Sequence, residues 1–115
     1  MEKLEITLLK NLIHNDEYAR KVIPFIKLEY FEMRSEMILC QEIIDFIAKY
    51  NKCPTQEIID IEIQNRDDLT ETEYKEIREI NQTLDKVETN TEWLVDTTEK
   101  WCRDRAIYLA LMSSI

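Results

Sequence analysis

The chain has 115 residues and a formal net charge of −9, and it contains no glycine at all. P-loops, dinucleotide-binding fingerprints and kinase glycine-rich loops are therefore excluded, because they need glycine where backbone N–H groups close on a phosphate. The negative charge also argues against a surface that coats DNA or RNA. The length fits one domain, and 44% hydrophobic with 34% charged residues is typical of a soluble globular protein.

The first third of the chain predicts two helices followed by an irregular passage. Apolar residues at helical spacing predict a helix over residues 2–14, and Asn15 is placed to cap a short second helix. Pro24 should end that helix, because its ring cannot continue the backbone hydrogen bonding. We expect residues 24–33 to be compact and partly irregular.

A central helix is predicted next. Ser35 is the expected N-cap of a helix over residues 36–50, and its two apolar stripes indicate burial on more than one side. Pro54 favours an extended link after it. Thr55 is then placed to cap a short helix that runs to about Ile63.

Two capping patterns mark the last two helices. Thr70 and Glu73 match the T-x-x-E capping box, and the one-sided apolar pattern behind it continues to Val87. A second T-x-x-E pattern at residues 89–92 predicts a final helix from about 91 to 113. The sequence therefore predicts one all-α domain, a compact bundle of about six helices.

The final helix carries the candidate interface. Its apolar and polar residues follow a heptad spacing, and every residue from 106 to 112 is apolar or aromatic. The residues of this seam are Leu94, Thr98, Trp101, Arg105, Tyr108 and Met112. Such a helix must be covered, either by the core of its own domain or by a partner helix. The absence of a polar tail after it suggests a cut through a longer protein.

Few residues suggest metal or thiol chemistry. His14 lies near Asp16 and Glu17, but a lone histidine beside carboxylates at a helix end is more simply a cap or a solvated turn. The three cysteines are Cys40, Cys53 and Cys102. They lack ligand spacing and form no C-x-x-C pair, so we expect small apolar thiols in a reducing intracellular compartment and no zinc site.

Arginines offer the other chemical possibility. Arg78, Arg103 and Arg105 could form an anion pocket in a small all-helical enzyme, although pairing with neighbouring glutamates is the simpler interpretation. Acidic pairs such as Asp67 and Asp68 are expected by chance in a chain with 24 acids. We therefore predict no catalytic, cofactor-binding or metal site.

Several segments, in order along nearly the whole chain, carry a family resemblance. They are Asn15-Asp16-Glu17-Tyr18, Lys21-Val22-Ile23-Pro24-Phe25-Ile26, Glu29-Tyr30-Phe31, Tyr50-Asn51-Lys52-Cys53-Pro54-Thr55, Leu69-Thr70-Glu71-Thr72-Glu73-Tyr74, Trp93-Leu94-Val95, Thr98-Glu99-Lys100 and Arg103-x-Arg105-Ala106. With them the chain resembles the N-terminal domain of the DnaB-like replicative ring helicases, most closely the version in T-even-like phages.

The resemblance implies a function. Domains of this family form a ring collar, often a trimer of dimers, that supports hexamer assembly and docks primase. A helicase loader is a further expected partner. The resemblance also implies a helical globular head over residues 1–90 and, from 91 to 115, the first arm of a helical hairpin. By the same resemblance, ATP and magnesium would belong to a motor domain absent from this chain. We therefore expect this fragment not to be an enzyme and its parent to be an ATP-dependent helicase. A cytoplasmic location is expected, in the host if the protein is phage-encoded.

Two other interpretations stay open: a free-standing helical adaptor or regulator, and a small all-helical enzyme. The acidic residues are concentrated, since residues 55–104 carry 15 acidic and 6 basic side chains. Such a surface could attract a basic partner such as primase, or it could simply be the solvated side of the helices. No strong binding of nucleic acid or membrane is expected.

Overall fold

The computed structural model describes residues 2–114, which form six α-helices and two short 3₁₀ turns. The helices are α1 (Leu4–His14), α2 (Asp16–Val22), α3 (Arg34–Tyr50), α4 (Gln56–Gln64), α5 (Glu71–Gln82) and α6 (Thr91–Ser113), and the 3₁₀ turns are Ile23–Phe25 and Leu28–Tyr30. The predicted all-α bundle is confirmed. No helix in the described residues is long and apolar enough to cross a membrane.

Helix α3 is central, as its two apolar stripes predicted. It packs against α1, α4, α5 and the second 3₁₀ turn, while α6 lies against α2 and that same turn. One core joins all six helices, and its fully buried side chains include Leu8, Leu9, Leu12, Tyr18, Leu39, Ile43, Ile59, Ile77, Leu84 and Leu94. Burial of this apolar surface supplies the main driving force for folding.

The predicted caps of α2, α4 and α5 are confirmed. The Asn15 side chain accepts a hydrogen bond from the Tyr18 N–H, and Thr55 Oγ1 accepts one from the Ile58 N–H. Thr70 and Glu73 form the full capping box, with each side chain bonding the backbone of the other residue. These bonds satisfy N–H groups that a helix start leaves without a partner.

Two predicted caps are wrong. Met33 is the N-cap of α3 and makes no side-chain capping bond, while Ser35 lies inside the first turn and is buried. The helix starts at Arg34, two residues earlier than predicted, because the Met37 N–H bonds the Met33 carbonyl. At α6 the Asn90 side chain caps the Trp93 N–H, so the cap is Asn90 and not Thr89.

Helix α5 ends before the predicted Val87. Gln56 Nε2 donates to the Asn81 carbonyl, and Asn81 Nδ2 donates to the Gln56 carbonyl, at 2.8 and 2.9 Å. The Leu84 N–H also bonds the Asn81 carbonyl, so the chain turns there. Leu84 therefore enters the core from an irregular segment, and Val87 remains exposed.

Candidate protein-interaction surface

The first half of the predicted seam lies inside the domain. Leu94 and Thr98 are fully buried. Thr98 Oγ1 lies 2.6 Å from the Tyr18 hydroxyl oxygen, and this hydrogen bond joins α6 to α2 in the core. Burial in the apolar interior raises the pKa of the Tyr18 phenol, so its hydroxyl stays protonated. These two seam residues thus fasten α6 to its own chain.

The middle of the seam fastens α6 to the second 3₁₀ turn. The Trp101 ring packs edge-on against Tyr30 with centroids 6.0 Å apart, and its centroid lies 5.1 Å from that of Phe31. Arg105 Nε donates to the Tyr30 carbonyl at 2.6 Å, and its Nη1 donates to Glu32 at 3.3 Å. Trp101 and Arg105 therefore fix the direction in which the rest of α6 projects.

The last turns of α6 present an apolar surface to solvent. Tyr108 and Met112, the last seam residues, are 50% and 52% exposed. Ile107 and Leu111 beside them are 59% and 64% exposed. We call these four residues the apolar end of α6. Contiguous exposed apolar residues of this kind mark interaction sites in soluble proteins.

A groove runs beside the apolar end of α6. One part, about 330 Å³ in volume, is lined by Phe25, Tyr30, Cys102 and Ala106 among others, and a second part continues past Leu109. Phe25, in the irregular passage, is 46% exposed. The structure thus brings residues from two distant parts of the chain into one groove, whose lining also includes the charged Glu99 and Arg103.

Of the apolar end of α6, the sequence predicted only Tyr108 and Met112 as interface residues. It did not include the exposed Ile107 and Leu111 of the same helix end, nor Phe25 in the groove. The run of apolar residues from 106 to 112 was a usable signal, because a helix that is apolar all round cannot present every face to one neighbour. No local signal pointed to Phe25, since its position depends on where α6 crosses the irregular passage.

The residues considered for metal binding have other partners. His14 Nε2 lies 2.7 Å from the Leu84 carbonyl, so it holds the irregular segment after α5 against α1. Asp16 pairs with Arg20, and Glu17 pairs with Lys21, one helical turn along. Within residues 2–114 there is no group of three His, Cys, Asp or Glu side chains that could hold a metal ion.

The three arginines considered for an anion pocket lie in separate surroundings. Arg78 Nε is 3.6 Å from Asp60, Arg103 lines the groove beside α6, and Arg105 bonds the second 3₁₀ turn. They do not converge on one cavity. Arg78 and Arg105 pair with carboxylates on other segments and not with glutamates on their own helices, and Arg103 makes no ion pair within residues 2–114.

The cysteines are free thiols with little tendency to ionise. Burial raises the pKa of Cys40 to about 12 and that of Cys102 to about 11. Desolvation, with the carboxylate of Asp16 nearby, raises the pKa of Cys53 to about 11. The thiolate is the nucleophilic form, so at neutral pH these side chains act chiefly as small apolar groups.

Comparison with known proteins finds a similarity to a replicative helicase. The chain is 29% identical over 103 residues to the DnaB-like replicative helicase of Enterobacteria phage T4. That match covers 90% of this chain but only 22% of the phage protein. No protein-family model matches the chain. The similarity supports a relationship between this chain and DnaB-like replicative helicases.

Proposed function

We propose that this chain is the N-terminal collar domain of a hexameric replicative DNA helicase, where it supports ring assembly and docks primase. The observation that carries the proposal is an exposed apolar helix end on a chain similar to about a fifth of a replicative helicase. A helical scaffold with an unpartnered apolar surface suits assembly. The match to part of a helicase also fits a non-catalytic portion of an enzyme.

In this proposal the chain has two parts. Residues 1–90 are the globular head, and residues 91–115 begin a helical hairpin whose apolar end meets another subunit. The seam residues Leu94 and Thr98 then act from inside, by anchoring α6 to α2. Tyr108 and Met112 make the contacts between subunits, as dimers or a trimer of dimers in the full ring.

Catalysis is assigned to another part of the parent helicase. ATP and magnesium would be held in a motor domain, and the residues of this chain do not fit that role because without glycine they cannot form a phosphate-binding loop. We place the protein in the cytoplasm, the host's if it is phage-encoded.

The proposed partners are further copies of the chain, primase and a helicase loader. The net charge of −9 favours a basic protein partner over nucleic acid or an anionic membrane surface. Long-range attraction of this kind acts mainly on the association rate and weakens as salt rises.

Sedimentation tests the assembly role. The chain extended far enough to complete a hairpin should form larger oligomers than residues 1–115 alone. Replacing Leu111 and Met112 by glutamine in the extended chain should reduce its oligomeric state, because these side chains bury apolar surface between subunits.

Val87→Asn provides the matched control, since it removes an exposed apolar side chain away from α6. It should leave the sedimentation coefficient unchanged. An extended chain that stays monomeric at all concentrations would overturn the proposed assembly role.

A further inference from the structure

A second surface, distant along the chain from the apolar end of α6, combines aromatic rings with carboxylates. It is a shallow cleft of about 100 Å³ between α3 and α4, lined by Glu42, Asp45, Phe46, Lys49, Tyr50 and Glu62. We call it the α3–α4 groove. The rings of Phe46 and Tyr50 pack with centroids 4.7 Å apart, and Tyr50 is 54% exposed. The two rings are tilted by 42° and form an apolar floor at the surface.

The groove already holds a cation of its own. Lys49 Nζ lies 5.3 Å from the centroid of the Tyr50 ring, within the range of a cation–π contact. The ring face is therefore placed where a positive group can reach it. A lysine is the weaker occupant of such a face, because the planar guanidinium of arginine stacks on an aromatic ring and is less strongly hydrated.

The three carboxylates at the rim of the α3–α4 groove differ in whether they already have a cationic partner. The Glu42 carboxylate accepts a hydrogen bond from Arg66 at 2.9 Å, so it already has a cationic partner. Arg66 also pairs with Asp68. Asp45 and Glu62 are exposed, and neither makes an ion pair within residues 2–114. Two carboxylates thus remain available to a positive group that enters from solvent.

We propose that the α3–α4 groove docks an arginine-bearing amphipathic segment of a partner protein. A guanidinium would stack on Tyr50 in place of Lys49, with Asp45 and Glu62 as its anionic neighbours, and an apolar side chain of the segment would rest on Phe46. The same carboxylates, on a chain of net charge −9, disfavour an acidic segment or a nucleic acid.

The inference rests on the proposed function only in treating the chain as a docking domain. Its test uses a designed peptide and does not depend on oligomer formation. The peptide can fail to bind although the extended chain assembles, and it can bind although the extended chain stays monomeric. The probe is a short amphipathic peptide of arginines and leucines, and its control has glutamate at every arginine position. Both are titrated into the ¹⁵N-labelled chain and followed by amide chemical shifts.

The arginine peptide should shift amides of the groove residues, and the glutamate peptide should not. Tyr50→Ala should weaken binding by about two- to fivefold, the size of an exposed cation–π contact. Asp45→Asn with Glu62→Gln should weaken it by between about two- and tenfold, because exposed ion pairs are individually modest. Lys49→Gln should strengthen binding, since it removes the competing cation.

Charge-matched variants separate docking from general attraction. Asp85→Asn with Glu88→Gln removes two exposed carboxylates outside the groove, and Lys86→Gln removes one exposed cation there. If these variants change the affinity as much as the groove variants do, the proposal is overturned. Shifts confined to the apolar end of α6, or an unchanged affinity in Tyr50→Ala, would also overturn it.

Discussion

The two tryptophans of α6 should contribute very differently to the free energy of unfolding. Trp101 packs against Tyr30 and Phe31, whereas Trp93 is 55% exposed near the start of the helix. Trp101→Ala should therefore lower the free energy of unfolding by about 2–4 kcal/mol, through lost burial and a cavity that is only partly closed.

Trp93→Ala is the control on the same helix. It should change the free energy of unfolding by no more than about 0.5 kcal/mol, as exposed substitutions usually do. Urea unfolding followed by circular dichroism measures both. Equal effects of the two variants would mean that Trp101 is not held against the 3₁₀ turn.

The buried hydrogen bond between Tyr18 and Thr98 makes the two residues interdependent. Tyr18→Phe leaves Thr98 Oγ1 without its partner in the core, and Thr98→Val does the same to the phenol. Each single variant should cost about 1–3 kcal/mol, the range for a buried polar group left unsatisfied. The double variant should cost less than the sum of the two. Strict additivity in urea unfolding would show that this bond contributes nothing.

At the scale of single elements, local signals predicted helices and caps well. Asn15, Thr55 and Thr70 were identified as caps because the cap and the N–H that it bonds are three residues apart, so one short stretch of sequence contains the whole interaction. The all-α fold class was likewise predicted from the helical spacing of apolar residues. These features need no knowledge of the tertiary structure.

The predictions from sequence fail where a contact between residues far apart in the chain determines the structure. Helix α5 stops at Gln82 because Asn81 exchanges hydrogen bonds with Gln56, 25 residues earlier. The seam of α6 likewise divides into buried and exposed halves according to how far α2 and the 3₁₀ turn extend along it. The helical pattern specified a continuous stripe, but only the packed domain determines which part remains available to a partner.

The capping box of α5 should make stability depend on pH. Hydrogen bonds from the Thr70 backbone N–H and from Arg34 lower the pKa of Glu73 below its ordinary value of 4.5. A lowered pKa in the folded state means that the charged carboxylate stabilises the fold above the unfolded pKa, and that this stability is lost as pH falls through the folded value.

Glu73→Gln isolates that contribution, because glutamine can still complete a capping box but carries no charge. The variant should be less stable than the parent at neutral pH, and the gap should close between about pH 5 and pH 3. Urea unfolding over a pH series measures it. Glu76→Gln, on the same helix without an ion pair in the described residues, is the control. A gap that stays constant with pH would contradict the role of the Glu73 charge.

At the scale of the whole molecule, repulsion within the net charge of −9 destabilises the compact folded state. The described part measures 35 × 35 × 31 Å. At an ionic strength of about 0.01 M the Debye length is roughly 30 Å, so most carboxylates repel one another across the molecule. The unfolded chain separates the same charges and relieves this repulsion.

Stability should therefore rise with salt. The free energy of unfolding in urea should increase as sodium chloride rises from about 0.01 M to about 0.15 M, where the Debye length falls to roughly 8 Å. Asp85→Asn with Glu88→Gln should reduce the increase, because it removes two carboxylates from the most acidic part of the chain. A fall in stability with salt would show instead that ion pairs such as those of Arg66 with Glu42 and Asp68 outweigh the repulsion. In that case the acidic surface would be balanced within the fold, and the attraction expected for a basic partner would be correspondingly weak.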